Sequence, residues 1–410
     1  MLTAAITGAA ISPATLVNIP FSLFIPALED EFGWSRTQIT GALSTFIVLL
    51  ILALPLAGRL VDRFGARRIA VPSILLYGLA IASSAWLSGS ILHLYAIYGL
   101  IAVLGAGAQS LTFIKVLSVW FDRRRGLAIG ACMAGFGLGY VLVPLFTRAL
   151  IGAWGWRAAY AGLGALAVLG ALPVIAMLLH DSPAACGLAM RDARPVSATP
   201  VRSTPVRAAA VRAADLTLLE SARTREFWLL AISFVLMSAA LNGVQSQWAA
   251  LLRDRGMDAA AAAYLLSAIG LGTFPGRLLV GFLIDRVFAP WVAILCYAVS
   301  AVALFWLVTG RSPAGTFLCA LAIGLSLGAE NDILGYLVGR YFGLRRFGQI
   351  YGALFSAYLV GAAAGPFLTA HARQVSASYA GALRIGACGV CAACALLAFL
   401  RRYRIPGEMT

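Results

Sequence analysis

Runs of about 20 apolar residues, each closed by a short polar stretch, follow one another along the whole 410-residue chain. Each run is long enough to cross about 30 Å of hydrocarbon as a helix. Lipid offers the backbone no hydrogen-bond partners, so each run must satisfy its own groups, which selects the α-helix. The residue-by-residue alternation of a membrane barrel is absent. The pattern predicts helices over 5–27, 37–57, 69–88, 91–119, 126–147, 157–179, 227–250, 259–284, 290–309, 314–338, 349–370 and 379–400. The expected fold class is an all-α membrane protein with twelve transmembrane helices. Pro20 and Pro26 are expected to bend the first helix, and Ser35 with Gln38 reads as a capping box that opens the second. The first helix is too long for the core of a signal peptide and lacks a charged leader, so it is expected to stay as a span.

Composition agrees, at 61% hydrophobic and 11% charged residues. The net charge of +15 raises nucleic acid as a partner, but the arginines argue against it. With the amino terminus in the cytoplasm, 21 arginines fall on inner loops, the middle loop and the tail, and seven on outer loops. That is the positive-inside asymmetry of a membrane protein, so the charge orients the chain and no nucleic acid is expected. Both termini are expected in the cytoplasm, with the chain in the cell inner membrane. Cys388, Cys391 and Cys394 share one face of the last helix without a nearby His or acid, which reads as packing and not as a metal site. No cofactor is expected.

The turn after the second helix reads Gly58-Arg59-Leu60-Val61-Asp62-Arg63-Phe64-Gly65-Ala66-Arg67-Arg68. Glycines for tight geometry, one acid and several bases suit a clamp on helix ends. An ordinary positive-inside loop would explain the arginines, but not the Gly-x-x-x-Asp-Arg-x-Gly spacing. This turn resembles the signature of the major facilitator superfamily. Its grammar recurs as Gly281-Phe282-Leu283-Ile284-Asp285-Arg286, with Asp62 and Asp285 separated by 223 positions. Trp120-Phe121 before Gly126-x-x-x-Gly130 likewise echoes Tyr341-Phe342 before Gly348-x-x-x-Gly352, and Phe121 and Phe342 are 221 apart. Two matches at nearly one offset predict two pseudo-symmetric six-helix bundles, the major facilitator fold. The expected boundaries are 1–180 for the first bundle, 181–225 for a Pro-, Ser- and Arg-rich cytoplasmic linker with a short helix near Ala213–Ala222, 226–402 for the second bundle and 403–410 for a tail. Phe32-Gly33-Trp34-Ser35, Trp120-Phe121-Asp122-Arg123-Arg124-Arg125-Gly126 and Gly276-Arg277 further resemble the monocarboxylate and oxalate–formate branch.

Four ionisable residues lie well inside spans: Lys115, Arg277, Glu330 and Asp332. Charges at that depth persist only with a partner, a proton or water, so they mark a functional site or an ion pair that locks helices. Counted from the inner helix ends at 1.5 Å per residue, Lys115, Arg277 and Glu330 sit about 10, 12 and 15 Å deep, toward the middle of the core. The resemblance implies that Arg277 meets the carboxylate of the substrate, a role its two-pronged fork suits. It also places the first, fourth, seventh and tenth helices around the cavity, which adds Asn18, Lys115 and Asn331 as substrate contacts; Tyr358 is a further one. Asp332 shares a face with Gly324, Gly328, Gly335 and Gly339 and reads as the more structural acid. An apolar cavity favours the neutral form of an acid. Glu330 is therefore expected to carry the coupling proton, with Asp332 beside it, and to pair alternately with Lys115 or Arg277. Gly58, Asp62, Arg63, Gly65, Arg67, Asp285 and Arg286 form the gating loops.

Departures from the branch are plain. A lysine expected in the first helix is Phe21, an aspartate four residues before the arginine is Thr273, and a lysine in the eleventh helix is Tyr358. Aromatic residues including Phe113, Trp248 and Phe355 suit a larger carboxylate or simple packing. The resulting expectation is a monomeric secondary carrier of a small organic anion with protons, working by alternating access. Two other readings stay open: a proton-coupled exporter of amphipathic compounds and a non-transporting sensor on the same fold. No nucleotide loop, metal cluster or nucleophile set supports an enzyme. The Gly352-x8-Gly361-x3-Gly365-Pro366 spacing resembles an antiporter signature, but it sits in the eleventh helix instead of the fifth.

Overall fold

A computed structural model describes residues 1–121, 124–183, 216–257, 259–310, 312–376, 378–401 and 403; for Ala249, 259–264 and 266 it describes the backbone alone. Most of the predicted linker, the Asp122–Arg123 pair and nearly all of the tail lie outside these residues. Helices dominate, and no strand occurs among the described residues.

Eleven stretches are long and apolar enough to cross a membrane. One of them, Arg125–Leu178, has 54 residues. That is about 80 Å of helix, well over twice the hydrocarbon thickness. Gly155 divides it, because its φ of 81° and ψ of 173° are not helical. Twelve spans result among the described residues: α1 (Leu2–Phe32), α2 (Arg36–Phe64), α3 (Ala66–Trp86), α4 (Ile91–Trp120), α5 (125–154), α6 (156–178), α7 (Arg225–Ser246), α8 (Ala259–Ile284), α9 (Ala289–Thr309), α10 (Pro313–Tyr341), α11 (Phe347–Ser376) and α12 (Tyr379–Ala398). Each coincides with a predicted run.

Local signals explain several ends. The Ser35 side chain accepts from the Gln38 N–H, and the Gln38 side chain reaches back to the Ser35 N–H, which completes the predicted capping box. The Thr224 side chain caps α7 by accepting from the Phe227 N–H. The short helix expected near Ala213–Ala222 is present as Leu218–Ala222, with Thr217 and Glu220 bonded across its start.

Two spans are interrupted. α1 consists of Leu2–Ala10, Pro13–Asn18 and Phe21–Phe32, so Pro20 marks a break while Pro26 rides inside a continuous helix. α4 breaks after Gly105 into one tight turn, Ala106–Ala108, and restarts at Ser110 after an extended Gln109. The α4 break has no proline to announce it.

The chain forms two compact units. The first comprises Met1–Arg123, Leu138–Ser221 and Val338–Gly352; the second comprises Arg124–Gly137, Ala222–Leu337 and Ala353–Thr410. Within the first unit, Gly164 lies against the backbone of Gly78 and Ala82, which lets α3 and α6 touch, and Gly139 on α5 meets Ala10 and Thr15 of α1. Within the second, Gly361 and Gly365 on α11 rest on Val235 and Ala239 of α7. Those two glycines of the antiporter-like spacing therefore serve helix contact, as small residues do in membranes generally.

Candidate functional site

In the second unit, glycines bring α8 and α10 to backbone contact. Gly324 and Gly328 of α10 lie on the backbone of Ile269 and Thr273, while Gly272 and Gly276 of α8 lie on that of Leu321 and Leu325. A methyl group at Gly328 would stand 2.5 Å from the Thr273 carbonyl oxygen. The Thr273 hydroxyl ties the seam, donating to the carbonyls of Ile269 (2.9 Å) and Gly324 (3.1 Å). Both glycine contacts on α10 keep an offset of 55 positions from their α8 partners, so the helices run parallel and in register. One turn further on, the same offset pairs residue 277 with residue 332.

That is where the two charges meet. Arg277 Nη1 stands 3.5 Å from Asp332 Oδ1, with side-chain exposures of 9% and 0%. The guanidinium carbon lies 5.8 Å from the centroid of the Phe136 ring on α5, within reach of a cation–π attraction. Charge is balanced, yet hydrogen bonding is incomplete. Arg277 Nε and Nη1 and both Asp332 oxygens are buried with no hydrogen-bond partner among the described residues. Buried donors left in that condition each forgo about 1–3 kcal/mol, more when charged. They are the groups an incoming anion can engage.

Glu330 lies two residues earlier and is fully buried. The Tyr358 phenol on α11 is a side-chain hydrogen-bond partner of its carboxylate, and the Tyr297 phenol on α9 lies within electrostatic reach. Tyr358 is half-buried and stacked on Phe355 at 5.4 Å. Asn331 is partly exposed with an unbonded Oδ1. The structure thus groups Arg277, Asp332, Glu330, Asn331 and Tyr358 in one unit. The sequence reading had Glu330 pair alternately with Lys115 or Arg277 and made Asp332 the more structural anion; in the structure Asp332 is the acid that stands beside Arg277, in the register the glycine ladder sets.

Lys115 belongs to the first unit. Its Nζ is 2.8 Å from Asp62 Oδ1 and donates to the Val61 carbonyl at 3.0 Å. Within its own unit, Asp62 is the carboxylate that Lys115 meets. Asp62 also accepts from the N–H groups of Gly348 (2.9 Å) and Gln349 (2.8 Å), the first turn of α11. In the second unit Asp285 does the same for α5, accepting from Gly126 (2.8 Å) and Leu127 (3.0 Å). Each aspartate thus closes the N-terminus of a helix, where free N–H groups and the helix dipole attract an anion. Gly58 is needed because it touches the Gly348 backbone.

The remaining loop residues are peripheral to these clamps. Gly65 takes a φ of 92°, and the Arg67 N–H donates to Asp181 at 3.0 Å. Exposed Arg63 and Arg286 lie over the rings of Phe64 and Phe282. Asn18 is exposed at the end of its short segment of α1. Sequence reasoning missed Gln109, which stands at the α4 break; the polar pair Gln109-Ser110 after Gly-Ala-Gly-Ala was the available signal.

Twelve apolar helices, with a glycine seam and a buried ion pair inside the second unit, define a polytopic membrane protein. Residues 5–366 match the family model of the Major Facilitator Superfamily, and the chain belongs to that family. It is 25% identical to the uncharacterized MFS-type transporter YhjX of Escherichia coli over 83% of this chain and 80% of that protein. It is 26% identical to human monocarboxylate transporter 11, over 87% and 73%. Among solved structures, the fucose:proton symporter FucP of E. coli aligns with a TM-score of 0.69 and 15% identity, over 97% of each chain.

Proposed function

We propose that this transporter carries a small organic anion together with protons by alternating access, with Arg277 receiving the cargo's carboxylate. The observation behind this reading is the buried Arg277–Asp332 pair, whose guanidinium is charge-compensated but keeps unbonded donors. A planar fork of that kind suits a carboxylate better than an uncharged cargo. Two carboxylates cannot both stay ionised on one buried guanidinium at low cost. A proton on Asp332 therefore releases Arg277 as the anion arrives, so cargo and proton travel together. Glu330, two residues away, is the second acid of the relay. Similarity to a protein named for monocarboxylates supports the same cargo class.

We place both termini in the cytoplasm of a cell with this chain as a monomer in its inner membrane. The 21-to-7 arginine distribution supports this orientation. So does the local pairing of arginines on the outer loops: Arg36 with Glu29, Arg157 with Glu31 and Arg373 with Asp254.

The test is uptake of labelled acetate, lactate, oxalate, benzoate and phenylacetate into proteoliposomes with an imposed pH gradient. The wild type accumulates at least one of them, and Arg277→Ala falls to the level of empty vesicles. Arg277→Lys keeps the charge without the fork and raises KM about tenfold or more. Asp332→Asn transports without responding to the gradient. The double variant Arg277→Ala/Asp332→Asn leaves neither member of the pair as a lone buried charge and reports whether loss reflects folding. Gradient-driven extrusion of amphipathic dyes with no carboxylate uptake would establish the exporter instead.

A further inference from the structure

Within the second unit, Glu330 and Asp332 stand two residues apart on α10 and so face different sides of that helix. Asp332 looks to α8, and a polar seam shows what the other side meets. The Ser300 hydroxyl of α9 donates to Ser326 Oγ of α10 at 2.6 Å, and the Ser326 hydroxyl donates to the Cys296 carbonyl at 2.7 Å. Because α9 ends at Thr309 and α10 starts at Pro313, the two helices run antiparallel. One turn further along both, the pairing of 300 with 326 becomes that of 296 with 330, next to Tyr297. Tyr297, Ser300, Ser326 and Glu330 are all fully buried.

The Tyr297 phenol is the group that packing leaves unexplained. Its ring lies edge-on to Phe234 of α7, centroids 6.3 Å apart, and its hydroxyl is buried with no hydrogen-bond partner among the described residues. Such a hydroxyl is a standing cost that a phenylalanine of the same shape would avoid. Its ionisable surroundings are Glu330 on α10, Tyr358 on α11, Cys394 on α12 and its own neighbour Cys296. Tyr358 is already a hydrogen-bond partner of the Glu330 carboxylate. The cation within reach of Glu330 is Arg277, and Asp332 stands beside that guanidinium. An ionised Glu330 therefore has one phenol bonded to it and a second, unengaged one close by. All these residues belong to the second unit.

We infer that Tyr297 is a positioning residue for the Glu330 proton, its hydroxyl donating to the Glu330 carboxylate whenever that acid is ionised. This rests on the reading of Glu330 as an acid of the proton relay. The phenol keeps its own proton throughout. A buried carboxylate that accepts from two phenols, Tyr358 and Tyr297, is held ionised without a cation of its own. Glu330 can then give up its proton while Arg277 is engaged elsewhere. Cargo and proton are handled on different sides of α10.

The experiment compares wild type, Tyr297→Phe, Glu330→Gln and the double variant, each as the full-length protein in proteoliposomes. Infrared difference spectra between acidic and alkaline buffer show the titrating carboxyl groups, and the band missing from Glu330→Gln is that of Glu330. In Tyr297→Phe this band shifts, because the ionised acid loses a donor. With the carboxylate panel above, Tyr297→Phe exchanges labelled for unlabelled cargo at the wild-type rate, a cycle that needs no proton release. Its gradient-driven uptake falls about tenfold, the worth of a hydrogen bond to a charged group. Adding Tyr297→Phe to Glu330→Gln changes nothing further. The melting temperature of Tyr297→Phe stays at the wild-type value or above, since the lost hydroxyl had no partner.

An unmoved band in Tyr297→Phe, or a Glu330→Gln spectrum identical to that of the wild type, overturns the inference. Equal losses of exchange and uptake, or a lowered melting temperature with the band unmoved, make Tyr297 a packing residue and overturn it as well. A shifted band in a protein that moves no carboxylate overturns the organic-anion reading and leaves Tyr297 assigned to Glu330.

Discussion

At the scale of single residues, the structure sorts the in-membrane charges by what holds them. Lys115 is the chain's only lysine, and it closes on Asp62 together with two backbone N–H groups. Replacing it should disturb the clamp and leave cargo affinity alone. Lys115→Met is expected to hold KM within about twofold of wild type while lowering the turnover rate, a separation that initial-rate kinetics resolves. Asp62→Asn removes the charge from two hydrogen bonds at a helix N-terminus, each worth about 1.5–3 kcal/mol, and should slow transport further. That these four charges lie within spans could be read from the sequence, because a polar residue in a 20-residue apolar run stands out. Their pairing could not. Whether Arg277 faces Glu330 or Asp332 depends on which surface of α10 meets α8, and that is set by packing between residues 55 positions apart.

At the scale of elements, all twelve spans were legible, since the lipid imposes both length and conformation on each run. The interruptions were less so. Pro20 marks one break and Pro26 none, because a proline inside a membrane helix is tolerated where neighbours accept the freed carbonyl. The α4 break depends on tertiary support from Pro13 and Ser73 and has no local breaker strong enough to announce it. The contact glycines were visible as a face, and the structure shows what a side chain there would meet. Gly328→Val should force α10 away from the Thr273 backbone, lowering the melting temperature of the purified protein by an amount consistent with about 1–3 kcal/mol of overpacking. Gly270, which meets nothing within 4 Å, should accept alanine with no such loss.

At the scale of the whole molecule, the repeat is the strongest statement in the sequence, and its consequence appears in the clamps. Asp62 closes the start of α11 and Asp285 closes the start of α5, the same arrangement written twice at offsets of 222 and 223. What the sequence could not show is that the compact units exchange pieces: residues 124–137 group with the second half of the chain and Val338–Gly352 with the first. Orientation is the property that the arginine count argues at this scale. Reporter fusions in the middle loop and after residue 401 should be active only in their cytoplasmic form, and fusions following Glu31 or Asp254 only in their exported form.

The glycine seam between α8 and α10 has a mechanical corollary. Two helices that touch backbone to backbone over two turns, with a threonine hydroxyl bridging them, make a single stiff strut that resists sliding and splaying. Arg277 and Asp332 ride on that strut and keep their separation wherever it swings. On the proposed mechanism, that ion pair is opened by chemistry, a proton or a rival anion, and not by leverage.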